Sequence, residues 1–344
     1  MKGFSYTVLI LAAIALVFYY LLFYAPNNFE GDRIVVISRG ENFSQITDTL
    51  EAKGVLSNKL FFELAARWRK FTTRIQIGKY RFKSGMSNTD ILEDLRYGTT
   101  VEWITVSVPE GMTAQRQARV FRRHLGIDSS KFMSFVISPV LAKQFGSESL
   151  TLEGYLLPST YKFYWQTDER VIVQTMVQDF WKYWNDSIAV QAQAKKMTLT
   201  QILALASIID GETRIDSERA IIAGVYMNRI KKGIPLQADP TIQYVITDGP
   251  RVLKHGDTKI PSPYNTYLHR GMPPGPVNNP GRASIFAALH PKKVPYLYFV
   301  ANGKGGHTFT KTYQEHLHAV QKLKKIREEQ DTSKATGNQA GKPK

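Results

Sequence analysis

The first strong pattern in the chain is a run of apolar residues near its amino terminus. No charged residue lies between Lys2 and Glu30, and residues 8–24 are almost wholly apolar. A run of this length can cross a bilayer as one helix, so we predict a cytoplasmic N-terminus at 1–6 and a transmembrane helix at 7–25. Aromatic residues at its outer end are typical of a membrane interface: Phe18, Tyr19, Tyr20, Phe23 and Tyr24.

A cleaved signal peptide is the alternative interpretation of this segment. The run is long and lacks a small-residue A-x-A cleavage site, which favours an anchor that stays in the membrane. Lys2 lies on the short side, while Glu30 and Asp32 follow the span. We therefore predict a single-pass protein of the cytoplasmic (inner) membrane, with the bulk of the chain on the extracytoplasmic face.

Residues 33–100 alternate between strand and helix patterns and include turn glycines. The expected elements are a strand at 34–37, helices at 43–52 and 58–68, and a strand at 77–82. A further helix is expected from a cap at Ser87 through Leu95, with Gly98 closing it. This order of elements resembles a LysM glycan-binding module, so we predict a LysM-like small α+β domain.

Residues 101–196 are predicted to form a connecting α+β region. Near its end, one helix carries apolar residues at three- and four-residue steps: Val173, Met176, Val177, Phe180 and Trp184. We interpret these residues as core contacts rather than as a platform for sugars.

The composition narrows the classes of function. The 344 residues include no cysteine, which excludes a disulfide framework, a thiolate metal site and a cysteine nucleophile. The net charge of +16 implies an acidic partner, either nucleic acid, anionic lipid or a wall polymer with carboxylates. Nucleic acid is the least favoured, because the chain has no zinc-finger, RRM or KH signature and its apolar segment indicates an extracytoplasmic location.

One acid falls on the apolar face of the helix that is predicted to start near Thr200. At about 100° per residue, Glu212 lies in the same stripe as Ile202, Leu205, Ile208 and Ile209. Asp210 is expected to project toward the polar side. Burial without a charged partner raises the pKa of a carboxyl group, as a general acid requires near neutral pH. The alternative is an ion pair of Glu212 with Arg214, Arg219 or Arg229.

A series of short motifs resembles the endolytic murein transglycosylase family, also called YceG-like. In chain order they are EGYLLP at 153–158 with Tyr161, ASIIDGET at 206–213, SER at 217–219, NR at 228–229, LQADPT at 236–241, YNTY at 264–267, GMPPGP at 271–276, YLYFV at 296–300 and GHTF at 306–309. With the apolar segment and the LysM-like unit, the resemblance covers nearly the whole chain up to about residue 325. It implies a mixed α+β, lysozyme-like catalytic domain at 197–325.

The resemblance also implies which acid is catalytic. In the family this glutamate is followed by a small hydroxyl residue, and that position here is Glu212 before Thr213. The chain departs from the family at Asp210, which is usually glutamate, and at Gly211, which is usually basic. We interpret Asp210 as a neighbour of the site that tolerates change; if the earlier acid were the catalyst, the shorter aspartate would put activity in doubt.

The chemistry that the resemblance implies is that of a lyase in which one carboxyl group acts twice. It protonates the oxygen linking N-acetylmuramic acid to N-acetylglucosamine, then takes the proton of the muramoyl C6 hydroxyl, which attacks internally and leaves a 1,6-anhydro end. The effective molarity of such a nucleophile can be on the order of 10⁵ M, so no second carboxylate is needed. Attack by water is the alternative, for which a second acid is expected, either Asp239, Asp248 or Asp257.

Four polar residues are candidates for substrate binding. Gln237, Tyr264 and Asn265 are bracketed by glycines, prolines and aromatics, and turn or cap chemistry is the alternative for them. His307 follows a glycine-rich loop that lacks P-loop spacing, and we expect that loop to position it near the site. The histidines show no metal-ligand spacing, so we predict no metal and no cofactor.

The predicted substrate and partners follow from the resemblance. They are the glycan strands of nascent peptidoglycan, whose length the enzyme would limit, and penicillin-binding synthases beside the membrane. The alternative from another class is a catalytically silent peptidoglycan-binding scaffold. Basic residues form clusters at Arg67, Arg69, Lys70, Arg74, Arg122 and Arg123. We interpret these clusters as solvated faces, and contact with wall carboxylates or lipid phosphate is the alternative. The charged and small residues at 326–344 are predicted to form a mobile tail.

Overall fold

The structure is a computed structural model that describes residues 2–246 and 249–339, with side chains described over 6–329 of those ranges. Asp248, one of the predicted second acids, lies outside the described residues, as do Met1 and residues 340–344. The fold is mixed α+β, as predicted, and the chain forms two compact units. The predicted division into LysM-like, connecting and catalytic domains stays a prediction.

The first unit contains the chain up to Val106 together with Phe121–Asp128 and Thr160–Asp168. Its elements are α1 (Lys2–Phe23), β1 (Arg33–Ile37), α2 (Phe43–Ala52), α3 (Lys59–Arg69), β2 (Gly78–Phe82), α4 (Asn88–Tyr97), β3 (Ile104–Ser107), which ends one residue beyond the unit, and β4 (Thr160–Phe163). The antiparallel strands β1 and β2 pair from Arg33 opposite Phe82 to Ile37 opposite Gly78.

The predicted elements of residues 33–100 are confirmed to within one or two residues. Local capping explains why their ends could be predicted. Asn42 and Ser87 begin α2 and α4 with capping boxes, in which the side chain of the cap accepts from the backbone N–H three residues later. Gly98 ends α4 in the left-handed conformation that glycine adopts without strain. The likeness to LysM itself stays a prediction.

The helix α1 is long and apolar enough to cross a membrane. Its window from Tyr6 to Phe23 has a mean hydropathy of 2.4, and among the described helices it is the one that meets this criterion. Most of its side chains are exposed, but Leu22 and Phe23 are buried in the core of the first unit.

The second unit contains Ser107–Val120, Ser129–Ser159 and the chain from Glu169 onward. Its helices are most of α5 (Ala114–Leu125), then α6 (Ser129–Val136), α7 (Pro139–Gln144), α8 (Glu169–Tyr183), α9 (Asp186–Ala194), α10 (Leu199–Glu212), α11 (Asp216–Lys231), α12 (Asp239–Val245), α13 (Arg282–Leu289) and α14 (Tyr313–Gln339). The strands β5 (Tyr298–Ala301) and β6 (His307–Thr310) pair antiparallel. The five apolar residues predicted to be core contacts are buried, four of them on α8 and Trp184 just after its end, which confirms that interpretation.

The helix α10 is the central helix of the second unit and packs against α11, α12 and α13. Every residue from Ile202 to Asp210 is buried, so the helix has no polar side over this stretch. The expectation that Asp210 projects toward a polar side is therefore wrong. A helix that is apolar all round is enclosed by its neighbours, and a helical wheel with a single apolar stripe does not describe it.

The predicted mobile tail at 326–344 is helical as far as Gln339, where α14 ends. Mobility of that segment stays a prediction.

Candidate active site

The end of α10 opens into a cavity of about 940 Å³ within the second unit. The cavity is lined by the last residues of α10, by α12 and by the start of α5, together with Glu153. Glu212 and Asp239 are both among the lining residues. The predicted catalytic acid therefore lies at a cavity large enough to admit sugar units.

Glu212 is the last residue of α10 and is half-buried. The hydroxyl of Tyr226, a buried residue of α11, donates to its Oε1 at 2.7 Å. Burial raises the pKa of Glu212 to about 7, while the hydrogen bond from Tyr226 and the charge of Arg229 lower it and the charge of Asp239 raises it. A carboxyl group with this pKa can both give and take a proton near neutral pH.

Tyr226 is a fixed donor to Glu212. Burial, and then the charge of Glu212, raise the pKa of the Tyr226 hydroxyl well above its ordinary value. The phenol therefore keeps its proton over the range in which Glu212 titrates, and it continues to donate after Glu212 has ionised.

The ion pairs considered as an alternative for Glu212 do not form in the described part of the chain. Arg229 instead donates to backbone carbonyls, from Nε to Leu297 at 2.7 Å and from Nη1 to Leu236 at 2.6 Å. Arg214 is exposed. The side chain of Glu212 has Tyr226 as its hydrogen-bond partner among the described residues.

Asp210 takes the structural role that was considered for Glu212. Its Oδ1 lies 2.5 Å from Nη1 of the buried Arg219 and accepts from the hydroxyl of Ser284 at 2.6 Å. Arg219 also donates from Nη2 to Glu110 and from Nε to Asp216, each at 3.0 Å. Asp210 is thus held in a buried ion pair.

Gly211 lies between the two acids and packs closely against α12. A Cβ atom at this position would lie 2.5 Å from Cγ of Pro240. A larger residue therefore does not fit here unless Pro240 moves.

Asp239 is one of four carboxylates that line the cavity, with Glu153, Asp210 and Glu212. The hydroxyl of Tyr267 donates to its Oδ1 at 2.6 Å. Asp257, another acid considered for activation of water, is bound by the guanidinium of Arg251 at 2.6 Å and is not among the lining residues.

None of the four predicted substrate-binding residues is among the residues that line the cavity. Gln237 is exposed, and its backbone has a φ of 49°. Asn265 is fully buried, and its amide donates to the carbonyls of Thr258 and Ile260 at 3.0 and 2.8 Å, which is the turn chemistry considered as its alternative.

The other two predicted binding residues contact neighbours of the site. The ring of Tyr264 lies 4.9 Å from that of Tyr244, which lines the cavity. Nδ1 of His307 lies 2.7 Å from Oε2 of Glu218, and the same oxygen lies 3.3 Å from the hydroxyl of Thr213. Contact of any of the four residues with sugar stays a prediction.

The sequence reasoning missed several residues of the cavity. Three guanidinium groups line it without an ion pair in the described structure, and they belong to Arg116, Arg119 and Arg214. Glu153 also lines it, buried, with Oε1 accepting from the backbone N–H of Ala114 at 2.9 Å and from the amide of Asn279 at 2.8 Å. Burial raises the pKa of Glu153 to about 8, while these two hydrogen bonds lower it. Its place in the EGYLLP motif was the signal that could have identified it.

The chain is similar in sequence to known proteins. The sequence profile of the YceG-like family matches residues 35–322. An endolytic murein transglycosylase of Bacillus subtilis is 30% identical over 303 residues, covering 83% of each chain. A second, of Streptococcus pneumoniae, is 28% identical over 314 residues, covering 82% of this chain and 56% of the relative.

The fold is also similar to a solved structure. The crystal structure of a yceG-like protein of Listeria monocytogenes superposes with a TM-score of 0.60 at 29% identity, covering 84% of this chain and 99% of the other. The profile match spans far more than half of the chain and includes both the cavity and Glu212. The chain therefore belongs to the YceG-like family.

Proposed function

We propose that this chain is an endolytic lytic transglycosylase that cleaves the MurNAc-GlcNAc bond of nascent peptidoglycan and so limits the length of glycan strands. The proposal rests on the position and the pKa of Glu212. This half-buried carboxyl group lies at a large cavity, and burial raises its pKa to about 7. The names of the relatives supply the substrate class.

In the first step Glu212 acts as an acid. Near neutral pH a substantial fraction of the molecules carries the proton, which is delivered to the oxygen of the glycosidic bond as that bond breaks. The GlcNAc unit leaves as an alcohol, and Glu212 becomes a carboxylate. The hydroxyl of Tyr226 donates to Oε1 and stabilises the charge that develops there.

In the second step the carboxylate of Glu212 acts as a base. It takes the proton of the muramoyl C6 hydroxyl, and the C6 oxygen forms a bond to the anomeric carbon. The product end is a 1,6-anhydro-MurNAc, and Glu212 returns to its protonated form. Because the nucleophile is part of the substrate, one carboxyl group suffices.

Three guanidinium groups of the cavity can bind an anionic glycan. Arg116 and Arg119, on α5, and Arg214, just after α10, line the cavity without an ion pair in the part of the chain that the structure describes. The stem peptides of peptidoglycan carry carboxylates, which a guanidinium group binds in bidentate geometry. This feature supports murein over a neutral polysaccharide as the substrate.

Asp239 supports one competing reaction, in which water attacks the anomeric carbon. Asp239 lines the same cavity and is held by Tyr267. In that case Asp239 activates the water and the product is an ordinary reducing end, heavier by one water molecule than the anhydro end.

The proposed setting is the outer face of the cytoplasmic membrane. The helix α1 is the anchor, residues 33–100 act as a LysM-like glycan-binding domain, and the lysozyme-like catalytic domain at 197–325 cuts strands close to the synthases that make them. The length and apolar composition of α1 support this anchoring.

The test is product analysis with purified full-length protein and murein. The native chain is expected to release fragments with anhydro ends, and Glu212→Gln, which keeps the shape but removes the titrating proton, is expected to release none. Asp239→Asn distinguishes attack by water from attack by the muramoyl C6 hydroxyl, because it is expected to abolish hydrolysis by water and to leave the anhydro products. Equal product from the native chain and Glu212→Gln would remove Glu212 from the catalytic role, whereas product from neither would favour the catalytically silent scaffold.

A further inference from the structure

The helix α1 is joined to the first unit without a flexible linker. Its last two residues, Leu22 and Phe23, are buried in the core of that unit. The carbonyl of Leu22 accepts from the amide of Asn88 and that of Phe23 from the hydroxyl of Thr89, both at 2.9 Å. Since the last carbonyls of a helix lack partners within it, these bonds cap α1 and fix it to α4.

The helix α3 lies alongside the last turns of α1. The rings of Phe18 and Phe61 are 5.7 Å apart, and those of Phe23 and Trp68 are 6.2 Å apart. The start of α3 therefore contacts Phe18 and its end contacts Phe23, so the two helices run in the same direction. The helix α3 is therefore level with residues 18–23.

The length of α1 places those residues within a bilayer. At about 1.5 Å per residue, the twenty residues after Lys2 span about 30 Å, the thickness of the hydrocarbon core. A helix with Lys2 at the inner boundary therefore has Leu22 near the outer one. Phe18 lies about four residues deeper, so whatever packs against Phe18 is also below the level of the outer boundary.

The free face of α3 carries a row of exposed apolar residues. Leu60, Leu64 and Trp68 are spaced by four residues, which puts them on one face of the helix, and they are 62%, 38% and 73% exposed. Beside them lies Arg67, exposed and without an ion pair among the described residues. A row of exposed apolar residues with an adjacent cation is typical of a helix at a membrane interface.

We propose that α3 is set into the outer leaflet of the membrane, with Leu60, Leu64 and Trp68 among the lipid chains and Arg67 at the level of the phosphates. This inference rests on the proposed anchoring by α1. In this arrangement α3 binds anionic lipid. The packing of α1 against α3 and α4, rather than a flexible linker, then sets the depth and orientation of the first unit at the membrane.

The absence of cysteine from the sequence makes a direct test simple. Single substitutions Leu60→Cys and Leu64→Cys in the full-length chain each provide one site for a nitroxide label. The labelled proteins are placed in vesicles of phosphatidylethanolamine and phosphatidylglycerol. The ratio of collisions with oxygen to collisions with a water-soluble nickel complex then reports whether the label is in lipid.

Two further labels serve as controls. Ile34→Cys, on β1 of the same unit, matches Leu64 in exposure, at 40% against 38%, and is expected to lie in water. Ile14→Cys, in the middle of α1, is expected to lie in lipid. The proposal predicts ratios at positions 60 and 64 several-fold above that at position 34 and close to that at position 14.

The outcomes separate this inference from the proposed anchoring. Water-like ratios at 60 and 64 with a lipid-like ratio at 14 would overturn the seating of α3 and leave the anchor in place. A water-like ratio at position 14 would remove both. Lytic activity of the same samples on murein is measured separately, because the chemistry at Glu212 requires neither result.

Discussion

Two carboxyl groups at the end of α10 lie two residues apart in surroundings of opposite kinds. Both line the cavity, but Asp210 pairs with the guanidinium of Arg219, whereas Glu212 has the neutral hydroxyl of Tyr226 as its hydrogen-bond partner. Burial alone therefore does not distinguish the proposed catalytic acid from its neighbour. What distinguishes the two is the partner: Asp210 forms an ion pair with Arg219, whereas Glu212 forms none among the described residues.

The largest expected effect is a separation of activity from stability between these two residues. Glu212→Gln is expected to reduce lytic activity by roughly 10²- to 10⁴-fold, because a positioned acid-base group is lost, without loss of stability. Asp210→Asn is the matched control: it is expected to lower stability while the folded protein keeps its chemistry. Rates of anhydro-end release and denaturant unfolding of both variants provide the measurement. The reverse pattern would transfer the catalytic role to Asp210.

The second prediction concerns the cation beside Asp210. Arg219→Met leaves a buried carboxylate without its partner, so the free energy of unfolding is expected to fall by about 3–5 kcal/mol. Addition of Asp210→Asn to this variant is expected to recover part of the loss. A decrease below about 1 kcal/mol, the value of an exposed pair, would show that the cluster around Arg219 is not a buried ion network.

The third prediction concerns pH. The pKa of Glu212 is about 7 in the folded protein against an ordinary value of 4.5, so the folded state holds this proton more tightly than the unfolded state. The contribution of Glu212 to stability is then full below about pH 4.5 and is lost as pH rises through about 7. The unfolding free energy of the native chain should therefore decrease over this window relative to Glu212→Gln, by up to about 1.4 kcal/mol per pH unit. Parallel pH profiles of the two proteins would argue against the raised pKa.

The smallest of these effects is expected for the donor to Glu212. Tyr226→Phe removes the hydrogen bond that lowers the pKa of Glu212, so the pH at which activity is half-maximal should rise. Loss of a hydrogen bond to a charged group costs about 1.5–3 kcal/mol, which corresponds to roughly a tenfold or greater fall in kcat. A fall in rate with an unchanged pH profile would mean that Tyr226 acts on packing alone.

The sequence predicted the first unit well and the site only in part, for physical reasons. Caps such as Asn42 and Ser87 and the turn at Gly98 are local signals, so the element ends could be predicted. Asp210 is buried because α11, α12 and α13 enclose α10. No local sequence pattern predicts that packing. Tyr226 comes fourteen residues after Glu212 and carries no motif of its own, so its hydrogen bond could not be predicted.

The candidate substrate-binding residues show the limit of motif reasoning. Asn265 belongs to a motif that resembles the family, yet its amide closes a turn. The arginines at the cavity lie in an ordinary amphipathic helix and just beyond a helix end, where exposed basic residues are common. Only the fold shows that they line the same cavity as Glu212.

The central claim is tested most directly by titration of Glu212 itself. With glutamate labelled by ¹³C at the carboxyl group, the resonance that is absent from Glu212→Gln identifies this residue, and its chemical shift is followed against pH. We expect a midpoint near 7. A midpoint close to about 4.3, as for a glutamate in solution, would mean that Glu212 carries no proton to give at neutral pH and would contradict its role as the acid.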